Sequence, residues 1–282
     1  MLDRVARGER TELNQRERWS TALLVALVAA TSVSGLLANV YAGETSSWRL
    51  EALGQDIANL LSLPLLIAAA YLAARGSLKA RLVWAGVLLF MLYAFVVYAF
   101  AAHFNRLFLV YVATLGLSVY TLLLAALHFD PQHATAGTVG GWRSRLVGGF
   151  LVVVAALFAF LWLSEDVPAV LAGVAPATVQ SSGLLTNPIH VLDLAFILPG
   201  ADMIGLQLWQ GRPWGFALAA PLLVFMALTG IGIVAALVLS SGAIPGSAVL
   251  MSVIVLACIG LSVFHLAGLG PSVKSTRLRM VA

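Results

Sequence analysis

Eight apolar runs, each of roughly the 20 residues that carry a helix across about 30 Å of hydrocarbon, follow one another with short polar breaks. They lie at 21–42 and at about 55–74, 82–102, 106–128, 146–164, 188–209, 214–240 and 247–269. Inside a bilayer every backbone N–H and C=O must find its partner within the protein, so only helices and closed barrels span it. A barrel would show alternating segments of about 10 residues, and these runs therefore predict helices. With 61% hydrophobic and 10% charged residues and a mean hydropathy of +0.98, the chain of 282 residues lacks the charged surface of a water-soluble domain. The predicted fold is an all-α membrane protein, a polytopic bundle of eight transmembrane helices over 21–270, with a cytoplasmic segment at 1–20 and a cytoplasmic tail at 271–282.

Charge sets the orientation. Of the 16 Lys and Arg residues, only Arg49 and Arg106 fall on the odd-numbered connections; the others lie at the two ends and on the even-numbered connections, as with Arg75, Lys79, Arg81, Arg143, Arg145 and Arg212. The positive-inside bias then puts both termini in the cytoplasm. A net charge of +4 and a pI near 9.6 are explained by this topology without nucleic acid, because the basic residues are scattered through loops and ends rather than clustered. The first run is longer than a signal-peptide core, so an uncleaved first span is expected despite a loose Val40-Tyr41-Ala42 cleavage pattern. The single Cys258 excludes a disulfide or cysteine metal site within one chain.

Several features bear on packing. Small residues in Ala26-xxx-Ala30-xxx-Ser34 and Gly230-Ile231-Gly232 suit close helix approach, and Pro64, Pro199 and Pro221 interrupt spans two, six and seven. The connection 165–187 opens with Glu165 and Asp166, is otherwise uncharged, and reads as an extracytoplasmic lid, a short interfacial helix or a plain linker.

Ionisable groups in hydrocarbon are costly unless paired, so the few intramembrane Asp and His residues are the first candidates for function. In Thr186–Gly200, Asn187 suits a helix cap and Pro188 the first turn, which places His190 and Asp193 on one face near the outer end of span six. Asp56, Asn59, Tyr98, His103, Asn105 and Tyr111 fall at the same level and complete a candidate ligand site. Three chemistries suit this group. His190, Asp193 and Asp56, with His103, could ligate a metal, although no HxxxH or HExxH spacing supports it. Asp193 could orient His190 for acid/base work, with Asp56 as a second carboxylate; or the groups are structural caps and anchors. At the inner level Asp202 has an arginine, a histidine or Gln207 as expected structural partner.

Cofactors are constrained only negatively. The only lysines, Lys79 and Lys274, lie in a loop and the tail, which excludes a retinal Schiff base. His103 and His190 at one level, with His128 and His265 at the other, are enough for two bis-histidine haems, but the spacing of His103 and His128 at opposite ends of one span argues against haem.

Gln55-Asp56, the segment Phe104–Tyr111 and Asn187–Gly200, within the eight-span layout, resemble an uncharacterised family of bacterial multi-pass membrane proteins. That resemblance implies a bacterial inner-membrane location and the topology above, and brings no activity. Three functions stand: a pocket, built from spans one to four and six, that binds or acts on a lipophilic small molecule; a proton-coupled carrier extending inward to Asp202; and a membrane scaffold or accessory subunit. The charge pattern makes a direct prediction. In a bacterial host, green fluorescent protein fused after Ala282 will fluoresce and alkaline phosphatase fused within 174–186 will be active; the opposite pattern would refute the orientation.

Overall fold

In the computed structural model the described residues are 12–135, 141–241 and 246–270; the first 11 residues and the expected tail from 271 lie outside them. The elements are α1 (Gln15–Leu37), α2 (Ser46–Ala74), α3 (Leu78–Ala101), α4 (Phe108–Leu127), the short α5 (Gln132–Thr135), α6 (Trp142–Ala172), the short α7 (Ala177–Ser182), α8 (Pro188–Trp209), α9 (Pro213–Ser241) and α10 (Gly246–Gly268). Eight of these are long and apolar enough to cross a membrane, and no strand occurs among the described residues. The protein is an integral, multi-pass helical membrane protein.

Local chemistry extends several helices beyond their apolar runs. The first starts at Gln15 because Asn14 caps it: Glu17 N–H donates to Asn14 Oδ1 at 2.9 Å and Asn14 N–H donates to the Glu17 carboxylate at 2.7 Å, a capping box. Thr45 similarly caps α2 through the Trp48 N–H at 3.3 Å. Helix α6 runs through Pro168 and stops only at Gly173, whose φ of 67° is left-handed and suits glycine. Glu165 and Asp166, assigned from sequence to a connection, are therefore helical, and α7 occupies the middle of the remaining segment.

Helix α9 is the central element, packed on α2, α3, α8 and α10. Glycines set its closest approaches: a Cβ on Gly54 would lie 2.7 Å from the Gly232 carbonyl oxygen of α9, and one on Gly86 would lie 2.6 Å from that of Pro221. Helices α6 and α8 cross at Gly148 and Gly205, where a Cβ on either would come within 2.7 Å of the other's carbonyl. The small-residue face expected on α1 is not a packing face. Ala26 and Ala30 are exposed, and α1 instead buries Leu24, Val28, Thr31, Ser32 and Gly35.

The two ends of the bundle differ in charge. Where α1, α3, α6 and α9 end and α2, α8 and α10 begin lie Glu44, Glu51, Asp56, Glu165, Asp166 and Asp193, hereafter the acidic end; Arg75, Lys79, Arg81, Arg143, Arg145 and Arg212 lie at the other, basic end. At the basic end, Glu17 is buried despite its charged surroundings. It is 0% exposed and pairs at 3.0 Å with Arg81, itself 3% exposed, whose other amino group donates to the Glu12 carbonyl at 2.9 Å. Trp84 Nε1–H donates to Thr21 Oγ1 at 3.0 Å on the next turn, so α1 is fastened to α3 by consecutive polar contacts. Truncating one partner of a buried pair leaves a stranded charge, at a cost of about 3–5 kcal/mol. Arg81→Met should lower the unfolding free energy in mixed micelles by about that amount, and Glu17→Gln added to it should recover a substantial part. An Arg81→Met variant as stable as the parent would refute the assignment.

Candidate functional site

The sixth membrane helix carries its polar groups because of how it begins and where it is interrupted. Asn187 Oδ1 accepts the N–H groups of Ile189 and His190 at 3.0 and 3.2 Å, and Pro188 occupies the first turn, as its missing N–H permits. Further on, Pro199 offers no N–H to the Ala195 carbonyl. The helix accommodates it with a π turn over Asp193–Ile197, in which the Leu198 N–H reaches back to the Asp193 carbonyl. Asp193 thus stands at the widened turn.

Two aromatic donors converge on this turn. Tyr93 Oη donates to Asp193 Oδ1 at 3.0 Å from α3, and Trp162 Nε1–H donates to Oδ2 at 2.9 Å from α6. Trp162 also stacks on His190, with ring centroids 4.3 Å apart and 28° between planes. His190 is not oriented by Asp193, as its spacing had suggested. Its Nδ1 lies 3.0 Å from both carboxylate oxygens of Asp166 on α6. A carboxylate accepts, so Nδ1 carries the hydrogen, and in the neutral ring Nε2 is left as an acceptor with no hydrogen bond among the described residues.

A second, separate cluster surrounds Asp56 on α2. Tyr41 Oη donates to its Oδ2 at 2.8 Å, and Tyr98 Oη lies 2.9 Å from Oδ1 and 3.1 Å from the Ala52 carbonyl oxygen. Burial, and next the neighbouring Asp56 carboxylate, push the Tyr41 phenol well above its usual range, so it serves as a donor. Tyr98 stacks on Tyr111 with centroids 5.2 Å apart, and the buried Asn59 links Gln55 at 3.0 Å to Ser32 at 3.2 Å. These contacts tie α1, α2, α3 and α4 together.

A cavity of about 520 Å³ lies beside the first cluster. Its walls come from α2, α3, α6, α7, α8, α9 and α10, and not from α1 or α4. Helices α6 and α10 meet at the basic end, where Trp142 and Arg143 pack on Phe264; toward the acidic end the cavity separates them. Glu51, Thr178, Asn187 and His190 line it near the helix ends, Asp193, Tyr93 and Thr229 line it further in, and Val154, Leu198, Phe225 and Cys258 line it deepest along their helices. Along α8 the lining runs from Asn187 to Leu198 and stops short of Asp202.

The residues expected to form one site are thereby divided. His190, Asp193 and Tyr98 line the cavity, whereas Asp56, Asn59, His103, Asn105 and Tyr111 do not. Loops are held by His103 and Asn105: the Glu44 carboxylate binds His103 Nδ1 and N–H at 2.7 Å each, and Asn105 bonds the His103 carbonyl and the Leu107 N–H. His128 bonds the Leu124 carbonyl of its own helix and His265 that of Phe216, so the four histidines considered for haem have four different partners. The metal set of His190, Asp193, Asp56 and His103 is not assembled, and no group of three or more His, Cys, Asp or Glu among the described residues is placed to hold a metal ion. Neither the arginine, the histidine nor Gln207 expected beside Asp202 bonds it; its Oδ1 is buried without a hydrogen bond among the described residues.

Sequence reasoning passed over Asp166 and Glu51. The signal for the first was its place 24 residues before His190 on what proved to be the same continuous helix as Trp162. Comparison with protein-family models, curated proteins and solved structures finds no match for this chain.

The Asp56 cluster leaves no room at Gly35, where a Cβ would overlap the Asp56 carboxylate and lie 2.8 Å from Tyr41 Oη. Gly35→Ala should cost about 1–3 kcal/mol in detergent unfolding, as overpacking does. By contrast Gly116→Ala, whose added Cβ meets nothing within 4 Å, should cost nothing measurable. Equal effects of the two would contradict this account.

Proposed function

We propose that this protein binds one lipophilic small molecule in the cavity at its acidic end, with a polar head beside His190 and Asp193 and an apolar body against Phe158, Ile197, Phe225 and Ile254. The observation that carries the reading is the cavity itself: about 520 Å³ falls within the range of small-molecule sites, and polar groups converge on one part of an otherwise apolar wall. Its length suits an elongated ligand, since the lining on α9 extends from Phe225 to Ser240, roughly 22 Å at 1.5 Å per residue.

On the resemblance of Asn187–Gly200 and its companion segments, we place the protein in a bacterial inner membrane; on the charge bias, the acidic end faces outward and both termini the cytoplasm. A ligand arriving from the lipid would enter sideways between α6 and α10. His190, held by Asp166 and presenting Nε2, is the group suited to accept a hydrogen bond or a proton from the head. A carrier would need a polar route continuing toward Asp202, and the lining gives none beyond Leu198.

The test uses the full chain in phosphatidylcholine nanodiscs, titrated with tritiated dodecanol. Saturable binding at one site per chain is expected above the bilayer partition, and Met226→Trp and Ile254→Trp, which fill the cavity, should abolish it while leaving the melting temperature within a few degrees. Partition without saturation in the parent protein, or undiminished binding in both filled variants, would overturn the proposal.

A further inference from the structure

The charge and hydrogen-bonding inventory of the cavity narrows the head group, given the ligand-binding reading above. Glu51, Glu165 and Asp193 line it, and no lysine or arginine does. Two of these acids already have donors: Glu165 accepts from the Thr178 hydroxyl and N–H, and Asp193 from Tyr93 and Trp162. Glu51 differs. It is half-buried on α2 and has no hydrogen bond or ion pair among the described residues. A carboxylate drawn out of water without a partner is costly, and a cation of the ligand would relieve that cost. An anionic head would meet three acids and no cation.

An independent observation comes from the preceding turn. Trp48 lines the same cavity, is 3% exposed, and its Nε1–H is buried without an acceptor. Three residues apart on one helix, Trp48 and Glu51 share a face. Across the cavity, Thr229 has a buried hydroxyl oxygen with no hydrogen-bond partner either. The wall therefore offers a free carboxylate and, beside it, an indole donor that needs an oxygen. Buried donors are normally satisfied, and a hydroxyl oxygen seated near Glu51 would satisfy this one.

We propose that the cavity recognises a long-chain amino alcohol: a cationic amphiphile whose ammonium pairs with Glu51 and whose adjacent hydroxyl oxygen accepts the Trp48 Nε1–H. His190 Nε2 supplies a further acceptor for the hydroxyl or ammonium hydrogens. Aromatic faces at Tyr93, Trp162 and Phe225 suit a cation and a chain alike.

The experiment is displacement of tritiated dodecanol from the full chain in phosphatidylcholine nanodiscs by 2-amino-1-dodecanol, dodecylamine, dodecanol and dodecanoate, which share one chain length. The amino alcohol should displace best, dodecylamine next, dodecanol about tenfold more weakly than the amine, and dodecanoate least, in keeping with the strength of charge-assisted hydrogen bonds. Glu51→Gln should remove the preference for amine over alcohol, and Trp48→Phe the advantage of the amino alcohol over the amine, each with a melting temperature within a few degrees of the parent as the sign of an intact fold. Should dodecanoate displace as well as dodecylamine, or the amine preference survive Glu51→Gln, the amino-alcohol assignment falls while the ligand site stands. If dodecanol itself shows no saturable site, both fall together.

Discussion

Asp193 accepts a phenol and an indole, Asp56 two phenols, and Glu17 a guanidinium and a backbone amide. In a low-dielectric interior a carboxyl group needs such donors, because the solvation it has lost is worth several kcal/mol. Each acid takes at least one donor from another helix, so satisfying the acid also fixes helix against helix. Glu17 joins α1 to α3 at the basic end; Asp56 joins α2 to α3 and to the turn after α1; Asp193 joins α8 to α3 and α6. Apolar packing alone distinguishes poorly between neighbours that are all equally apolar.

Those constraints also separate a structural cluster from a cavity. Around Asp56 the donors are complete and glycine is needed for lack of space, as a packed element requires. Around Asp193 the π turn forced by Pro199 widens the helix, Trp162 is shared between the aspartate and the His190 ring, and free volume begins. Polar groups with open valences on the cavity side are Glu51, Trp48 Nε1, Thr229 Oγ1 and His190 Nε2; in the Asp56 cluster the Tyr111 hydroxyl alone is buried without a partner among the described residues. A site for a ligand is expected to look incomplete in this way.

Much of the fold was legible because hydropathy and length are sufficient physics for a spanning helix. Eight runs became eight helices, and Asn187 and Pro188 began the sixth as their side chains dictate. Boundaries were less legible: Asn14 with Glu17 and Thr45 start helices well outside the apolar runs, because caps act on the backbone irrespective of hydropathy. The face of α1 was misjudged, since small residues at Ala26 and Ala30 permit close approach but do not require it. For the candidate site, His190 and Asp193 stood out by their rarity in an apolar segment, while their hydrogen-bond partners did not, since equal depth in a membrane says nothing about azimuth around the bundle.

The sequence by itself determined class, span number and the helix start that carries His190 and Asp193, because these depend on hydrophobic length and local capping within a few residues. Only the tertiary structure decided that His190 belongs to Asp166 and Asp193 to Tyr93 and Trp162, that Asp56 joins neither, and that a cavity lies between α6 and α10. Those pairings join residues 24 to 100 positions apart. Which helices become neighbours is set by glycine crossings and by the need of each buried acid for donors on other helices, and neither is expressed in local periodicity.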